Sequence, residues 1–173
     1  VIKMNDGFSG EGNAIFSYET INHSENLEDQ IRGLLPVEAE IVASNLSYSQ
    51  YMEKFTRMGG IVEAFIDEGI RASPSVQCRI NPLGKIDVIS THDQLMGGHD
   101  HQVFLGGTFP ASKEYSVEIG ELGRKISEAM RAKGVLGRFG VDFLSVKQAS
   151  GWKHYAIEIN LRKGGTTHPY IML

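Results

Sequence analysis

Apolar positions along this 173-residue chain recur with two different periods, and the switches between them mark out its elements. Between Tyr115 and Lys133, the residues Ile119, Leu122, Ile126 and Met130 fall three or four apart, which predicts a long helix with one core-facing stripe, ended by Gly134. Residues 49–58 read as a second helix stopped by Gly59-Gly60. Residues 25–35 read as a third, capped by Ser24 and ended by Pro36. Short apolar or alternating runs predict strands over 1–5 and 14–18, joined by a glycine-rich loop, and over 37–44, 60–69 and 140–146, with a last one opening at Tyr155. Two more, 75–80 and 85–91, flank Asn81-Pro-Leu-Gly84, whose proline and glycine suit a tight hairpin turn. Short strands with a few segregated helices give an α+β chain. No internal repeat is evident.

The last strand carries the most informative chemistry. In Tyr155-Ala-Ile-Glu-Ile-Asn-Leu161, residues two apart point the same way, so Glu158 and Asn160 project together while Ile157, Ile159 and Leu161 are expected in the core. The preceding apolar run carries Asp142. Pairing the two strands as a hairpin brings three oxygen donors together, and hard oxygen ligands suit Mg²⁺ rather than zinc. The competing reading is a solvated sheet face. Two residues beyond Asn160, Arg162 is expected on the same face, beside the metal, and Gly164-Gly165 leaves backbone N–H groups open to an oxyanion. His168 follows, as a ligand contact or a plain turn histidine.

At the other end Lys3 precedes Asp6-Gly-Phe-Ser-Gly-Glu-Gly-Asn13. Gly7, Gly10 and Gly12 free the backbone to bend around phosphates with a lysine charge beside them, although the spacing is neither the Walker nor the dinucleotide pattern, and a long hairpin turn is the rival reading. Arg79 offers a bidentate donor for phosphate or a substrate carboxylate, against a simple surface arginine. His92 and Asp93 are substrate-pocket or strand-end polar groups. His99 and His101 are a candidate transition-metal pair or loop histidines.

Composition sets the outer bounds. With 41% hydrophobic and 22% charged residues the chain can bury a real core. Its net charge of −4 and lack of a Lys/Arg run argue against nucleic acid, and no stretch is long and apolar enough for a membrane span. A single cysteine, Cys78, excludes an internal disulfide and fits a reducing cytoplasm. The chain opens in mid-strand at Val1 and is expected to be an internal piece of a longer protein.

Taken together, Lys-x-Asn-x-Gly-Phe-Ser-Gly-Glu-Gly-Asn and the terminal Glu-Ile-Asn-Leu-Arg-Lys-Gly-Gly-Thr-Thr-His-Pro resemble the ATP-grasp superfamily of carboxylate–amine ligases, nearest to the pheganomycin-type peptide ligases. The resemblance implies an ATP-grasp fold, with a lid subdomain over 1–66 and a metal- and substrate-binding subdomain over 67–173, an N-terminal domain and an upstream lysine being absent. It implies ATP and one or two Mg²⁺ (or Mn²⁺) as cofactors. Lys3 and the loop residues Gly7, Ser9, Gly10, Glu11 and Gly12 would hold phosphates. Glu63, Ala64, Phe65 and Ile66 would form the hinge that meets adenine, with Asp67 or Glu68 on the ribose. Asp142, Glu158 and Asn160 would bind metal, Arg162, Gly164 and Gly165 would stabilise the transition state, and Arg79 and His168 would contact substrate. The implied reaction is peptide-bond formation through an acylphosphate; a phosphotransferase on the same scaffold and a non-catalytic nucleotide-binding module are the rivals. Expected partners are small carboxylates and amines, not nucleic acid or membrane, with a homodimer left open.

Overall fold

Strand β1 (Ile2–Met4) is too short to bury its two apolar side chains alone, and it pairs on both sides, with β2 (Asn13–Ile15) and β4 (Gly60–Val62). The computed structural model describes residues 1–5, 12–22, 26–66, 69, 71–97 and 103–173. They fall into two units, Val1–Asp67 and Glu68–Leu173.

In the first unit the antiparallel order is β3-β2-β1-β4, with β3 at Glu40–Ile41. Helices α1 (Leu27–Glu38) and α2 (Tyr48–Met58) accompany it. Ile2, Met4, Ala14 and Tyr51 form the buried centre, with Leu35, Ile41, Met52, Phe55 and Met58 packed around them. Tyr51, 1% exposed, spends its hydroxyl on the carbonyls of Ile2 (3.1 Å) and Gly12 (3.0 Å), tying α2 to the base of the β1–β2 hairpin. Burial without an ionic partner pushes that phenol up to about 12.

Three sequence expectations are corrected here. Helix α1 is capped by Asn26, whose side chain accepts from the Glu28 N–H at 3.1 Å, and Pro36 lies inside its last turn instead of ending it. Proline lacks a donor but leaves its own carbonyl usable, and the helix closes when the Ala39 N–H reaches Leu35 O at 3.2 Å. The strand expected over 37–44 shrinks to Glu40–Ile41, because β2 offers only Ala14 and Ile15 as partners. The strand expected over 60–69 stops at Val62; the Glu63 N–H still reaches Val1 O at 2.8 Å, and beyond it no ladder partner follows among the described residues. Helix α2 begins at Tyr48 under a reciprocal Ser47–Gln50 capping box and ends on Gly59, whose φ of 73° a side chain would strain.

The second unit is an antiparallel sheet ordered β10-β9-β6-β7-β8: β6 Pro74–Ile80, β7 Ile86–Gly97, β8 Val103–Thr108, β9 Gly137–Gln148, β10 Gly151–Asn160, with the short β5 (Arg71–Ala72) also paired to β9. Helix α3 (Ser116–Ala132) covers one face, its Ile119, Leu122, Ile126 and Met130 meeting Val76, Cys78, Ile80, Phe139, Val141 and Phe143. A Cβ at Gly123 would stand 2.7 Å from Val76 Cγ1, which is how closely the helix sits on β6. The other face is polar and carries the candidate site. Helix α4 (Thr167–Met172) closes the chain. Among the described residues no helix is long and apolar enough to cross a membrane.

Candidate functional site

Alternation on β6 and β9 separates the two faces: Val76, Cys78, Val141 and Phe143 go to α3, and Ser75, Gln77, Gly140 and Asp142 go to the other side. Ser75 pairs with Asp142, and Asp142 pairs with Glu158 on β10, so the three form one row across the sheet. The next row is Gln77–Gly140–Asn160. Asn160 Nδ2 donates to Asp142 Oδ2 at 3.1 Å, so the amide and both carboxylates occupy one patch.

A β-bulge makes this row. Ala156 pairs with Phe143, on the α3 side, whereas Glu158 pairs with Asp142 on the polar side, because Ile157 is inserted between them. Uninterrupted alternation would have sent Glu158 to the face of Trp152 and His154, which pack toward α3. A second expectation is corrected: Ile159 (40% exposed) and Leu161 (59%) are not core residues, since β10 is the edge strand and ends at Asn160.

Electrostatically the patch is poised for a cation. Asp142 is pushed up to about 6, first by burial and then by the neighbouring Glu158, while hydrogen bonds from Ser75 and Gln94 oppose the rise. Two acids forced together under partial burial are stabilised by a bound divalent ion, and an Asp–Glu–Asn oxygen set fits Mg²⁺. Among the described residues no group of three His, Cys, Asp or Glu side chains gathers for a metal, so the third donor here is the amide. Because the folded state holds the proton more tightly than an ordinary carboxyl at 3.8, its contribution to stability is fully present below that value and is lost as pH rises to about 6. Relative to Asp142→Asn, the wild-type protein should therefore lose on the order of 2 kcal/mol between pH 4 and 6. Urea midpoints at several pH values measure this; a difference that stays flat or grows with pH would refute the buried-acid description.

The remaining predicted residues are placed as follows. Arg162 has left the strand: its N–H turns back to Asn160 O at 2.7 Å, so the expectation that it shares the Asn160 face is corrected. It is exposed, as is His168. Gly164-Gly165 leads into Thr166 and Thr167, which are buried and clamp Gln77: Gln77 Nε2 donates to Thr166 Oγ1 at 2.9 Å and Thr167 Oγ1 donates to Gln77 Oε1 at 3.3 Å. The glycine turn is thereby fastened to the row that holds Asn160. Arg79 is exposed on the same sheet face, two residues past Gln77.

In the first unit, the Lys3 ammonium pairs with the Glu63 carboxylate, and the Gly12 carbonyl also accepts the Met4 N–H at 3.0 Å. Ala64 and Phe65 are exposed and Ile66 is half-buried. Gly7, Ser9, Gly10, Glu11, Asp67, Glu68, His99 and His101 lie outside the described residues.

Asp93 is structural: it accepts the Ser112 N–H at 2.8 Å and the Tyr115 hydroxyl at 2.7 Å, fixing the start of α3. His92, 2% exposed, is lowered to about 4, chiefly by burial. On the α3 face, Ser145 Oγ and His154 Nδ1 lie 2.6 Å apart with Glu118 at 3.4 Å from Nε2, but Ser145 is wholly buried and no substrate reaches it. The sequence reading missed Ser75, Gln94 and Arg138. Extending the every-second-residue rule back along β9 from Asp142, and across to a polar serine in an apolar strand, was the available signal.

Two antiparallel units, the second offering a carboxylate–carboxylate–amide patch from its sheet, have the fold of the ATP-grasp superfamily. Biotin carboxylase from Campylobacter jejuni, in a complex named for ATP, superimposes with a TM-score of 0.56 at 20% identity, over 78% of this chain and 30% of that one. N5-carboxyaminoimidazole synthetase from Staphylococcus aureus, complexed with ADP, gives 0.50 at 19%, over 72% and 32%. Within that superfamily the chain belongs to the IQCH-like ATP-grasp family, whose model matches residues 20–164. L-propargylglycine–L-glutamate ligase from Streptantibioticus cattleyicolor is 31% identical over 157 residues, covering 91% of this chain and 29% of the relative. The chain thus spans less than a third of that relative's length.

Proposed function

We propose that this chain supplies the nucleotide- and metal-binding machinery of an ATP-dependent ligase joining a small carboxylate to an amine, such as an amino acid or peptide. The observation that carries this is the patch in which Glu158 and Asp142, cross-strand partners, meet Asn160 of the adjacent row on one polar sheet face. Family membership and the ligase name of the 31% identical relative support it.

Asp142, Glu158 and Asn160 would hold Mg²⁺ through their oxygens, and the ion when bound neutralises phosphate charge. The substrate carboxylate oxygen attacks the γ-phosphorus and ADP departs; the amine nitrogen then attacks the acyl carbon, loses its proton and expels phosphate. Such chemistry asks for alignment and charge compensation, and no side chain has to act as a nucleophile. Lys3, oriented by Glu63, and the loop of Gly7, Ser9, Gly10, Glu11 and Gly12 would meet the phosphates. The backbone of Glu63, Ala64, Phe65 and Ile66 would meet the adenine and Asp67 or Glu68 the ribose. Arg162 would compensate developing charge, the N–H groups of Gly164 and Gly165 the oxyanion, and Arg79 and His168 would contact substrate.

Hydroxylamine provides the test. With ATP, Mg²⁺ and the acyl substrate, the intact protein should release ADP and form a hydroxamate. AMP in place of ADP, or a stable phosphorylated product, would overturn the reading.

A further inference from the structure

The polar face of the second unit continues past the carboxylate row. On β6, Ser75, Gln77 and Arg79 follow at every second position, and β9 pairs with them through Asp142, Gly140 and Arg138. Arg79 and Arg138 are thus directly opposite on one face of an antiparallel pair, where like charges repel. Asp87 faces Arg79 from β7, but its carboxylate is engaged by Lys85 at 3.1 Å. Neither arginine forms an ion pair among the described residues, and Nη1 of Arg138 is buried without a hydrogen-bond partner. Leaving a guanidinium donor unpaired is costly, and placing a second cation opposite it adds to that cost. The like-charge cost falls away when an oxyanion bridges the accessible donors of the two guanidinium groups.

The spacing says which oxyanion. Rows two residues apart are separated by roughly 7 Å, so at backbone level the arginine row stands roughly 14 Å from Asp142 and Glu158. Oxygens bound to a cation held by the carboxylates lie within about 2 Å of it, so the arginines meet a different part of the reactants. Between the rows is Gly140, where a Cβ would touch nothing within 4 Å, which leaves the sheet face open from one group to the other.

We propose that Arg79 and Arg138 form a bidentate site for a second substrate carboxylate, distinct from the one activated, with the substrate lying across Gly140. The pair would select an acidic substrate over its neutral counterpart. Assigning the bound carboxylate to a substrate rests on the ligase reading; the anion site itself does not.

Glutarate, its uncharged diamide and inorganic phosphate are the probes, titrated without ATP while the arginine Nε–H resonances are followed by ¹⁵N NMR. Glutarate should shift the Arg79 and Arg138 signals saturably and the diamide should not. Arg79→Gln and Arg138→Gln should each weaken glutarate binding about tenfold, the loss of one charged hydrogen-bonded contact. Without ligand, Arg138→Gln should leave the melting temperature unchanged or raised, since it removes a like charge; a purely structural arginine would give a large drop, which would overturn the proposal. No shift with glutarate, or a shift with phosphate alone, would also overturn it. Glutarate binding in a protein that forms no hydroxamate would instead defeat the ligase reading and leave the anion site standing.

Discussion

Glu158→Gln is expected to reduce Mg²⁺-dependent ATP turnover by at least about a hundredfold while leaving the fold in place. Glu158 is exposed, so its amide costs little packing, yet it is the residue the β10 bulge turns toward Asp142. Removing its charge also removes one of the causes that raise Asp142, so the apo variant should lose less stability between pH 4 and 6 than the wild type. Phosphate release at saturating Mg²⁺ with matched circular dichroism reads both halves. Wild-type turnover in the variant would remove Glu158 from the metal set.

The second large effect is on stability. Gly60 follows Gly59, the cap of α2, and pairs with Met4, and a Cβ there would stand well inside contact distance of both the Lys3 carbonyl and the Phe55 ring. A ring can rotate away, but a carbonyl inside a β ladder cannot. Gly60→Ala should therefore destabilise the first unit by roughly 3 kcal/mol or more. Trp152, the only tryptophan, lies in the second unit, so its fluorescence should report an unchanged urea transition while far-ultraviolet circular dichroism shows an early one. A single unshifted transition by both probes would show that the β1–β4 contact yields more easily than its geometry implies.

Long periodic elements were legible in the sequence because one face of each is buried. The stripe of α3, the β6–β7 hairpin across Asn81–Gly84 and the pairing of the Asp142 strand with the Glu158 strand all follow from apolar spacing. The ATP-grasp likeness was legible as longer strings at the two ends, and the family match over residues 20–164 agrees with it. What spacing could not supply was the exception to spacing. The insertion of Ile157 decides which face Glu158 takes, and neither neighbour is a glycine or proline that would announce it. Pro36 misled in the opposite direction, since a proline in a last helical turn is tolerated. The length of β3 was illegible because strand length belongs to the partner: β2 is short, so 37–44 could not pair throughout. Arg162 was misplaced for a related reason, as counting by twos holds only while the strand lasts and β10 ends at Asn160.

Carboxylate activation leaves an isotopic record that other uses of ATP do not. With the acyl substrate labelled with ¹⁸O in its carboxylate, the intact protein, ATP, Mg²⁺ and the amine should yield inorganic phosphate carrying one ¹⁸O per amide formed, because the oxygen that attacks the γ-phosphorus leaves with it. Phosphate free of label, with amide formed or ATP consumed, would contradict the acylphosphate route and with it the ligase assignment of the Asp142–Glu158–Asn160 site.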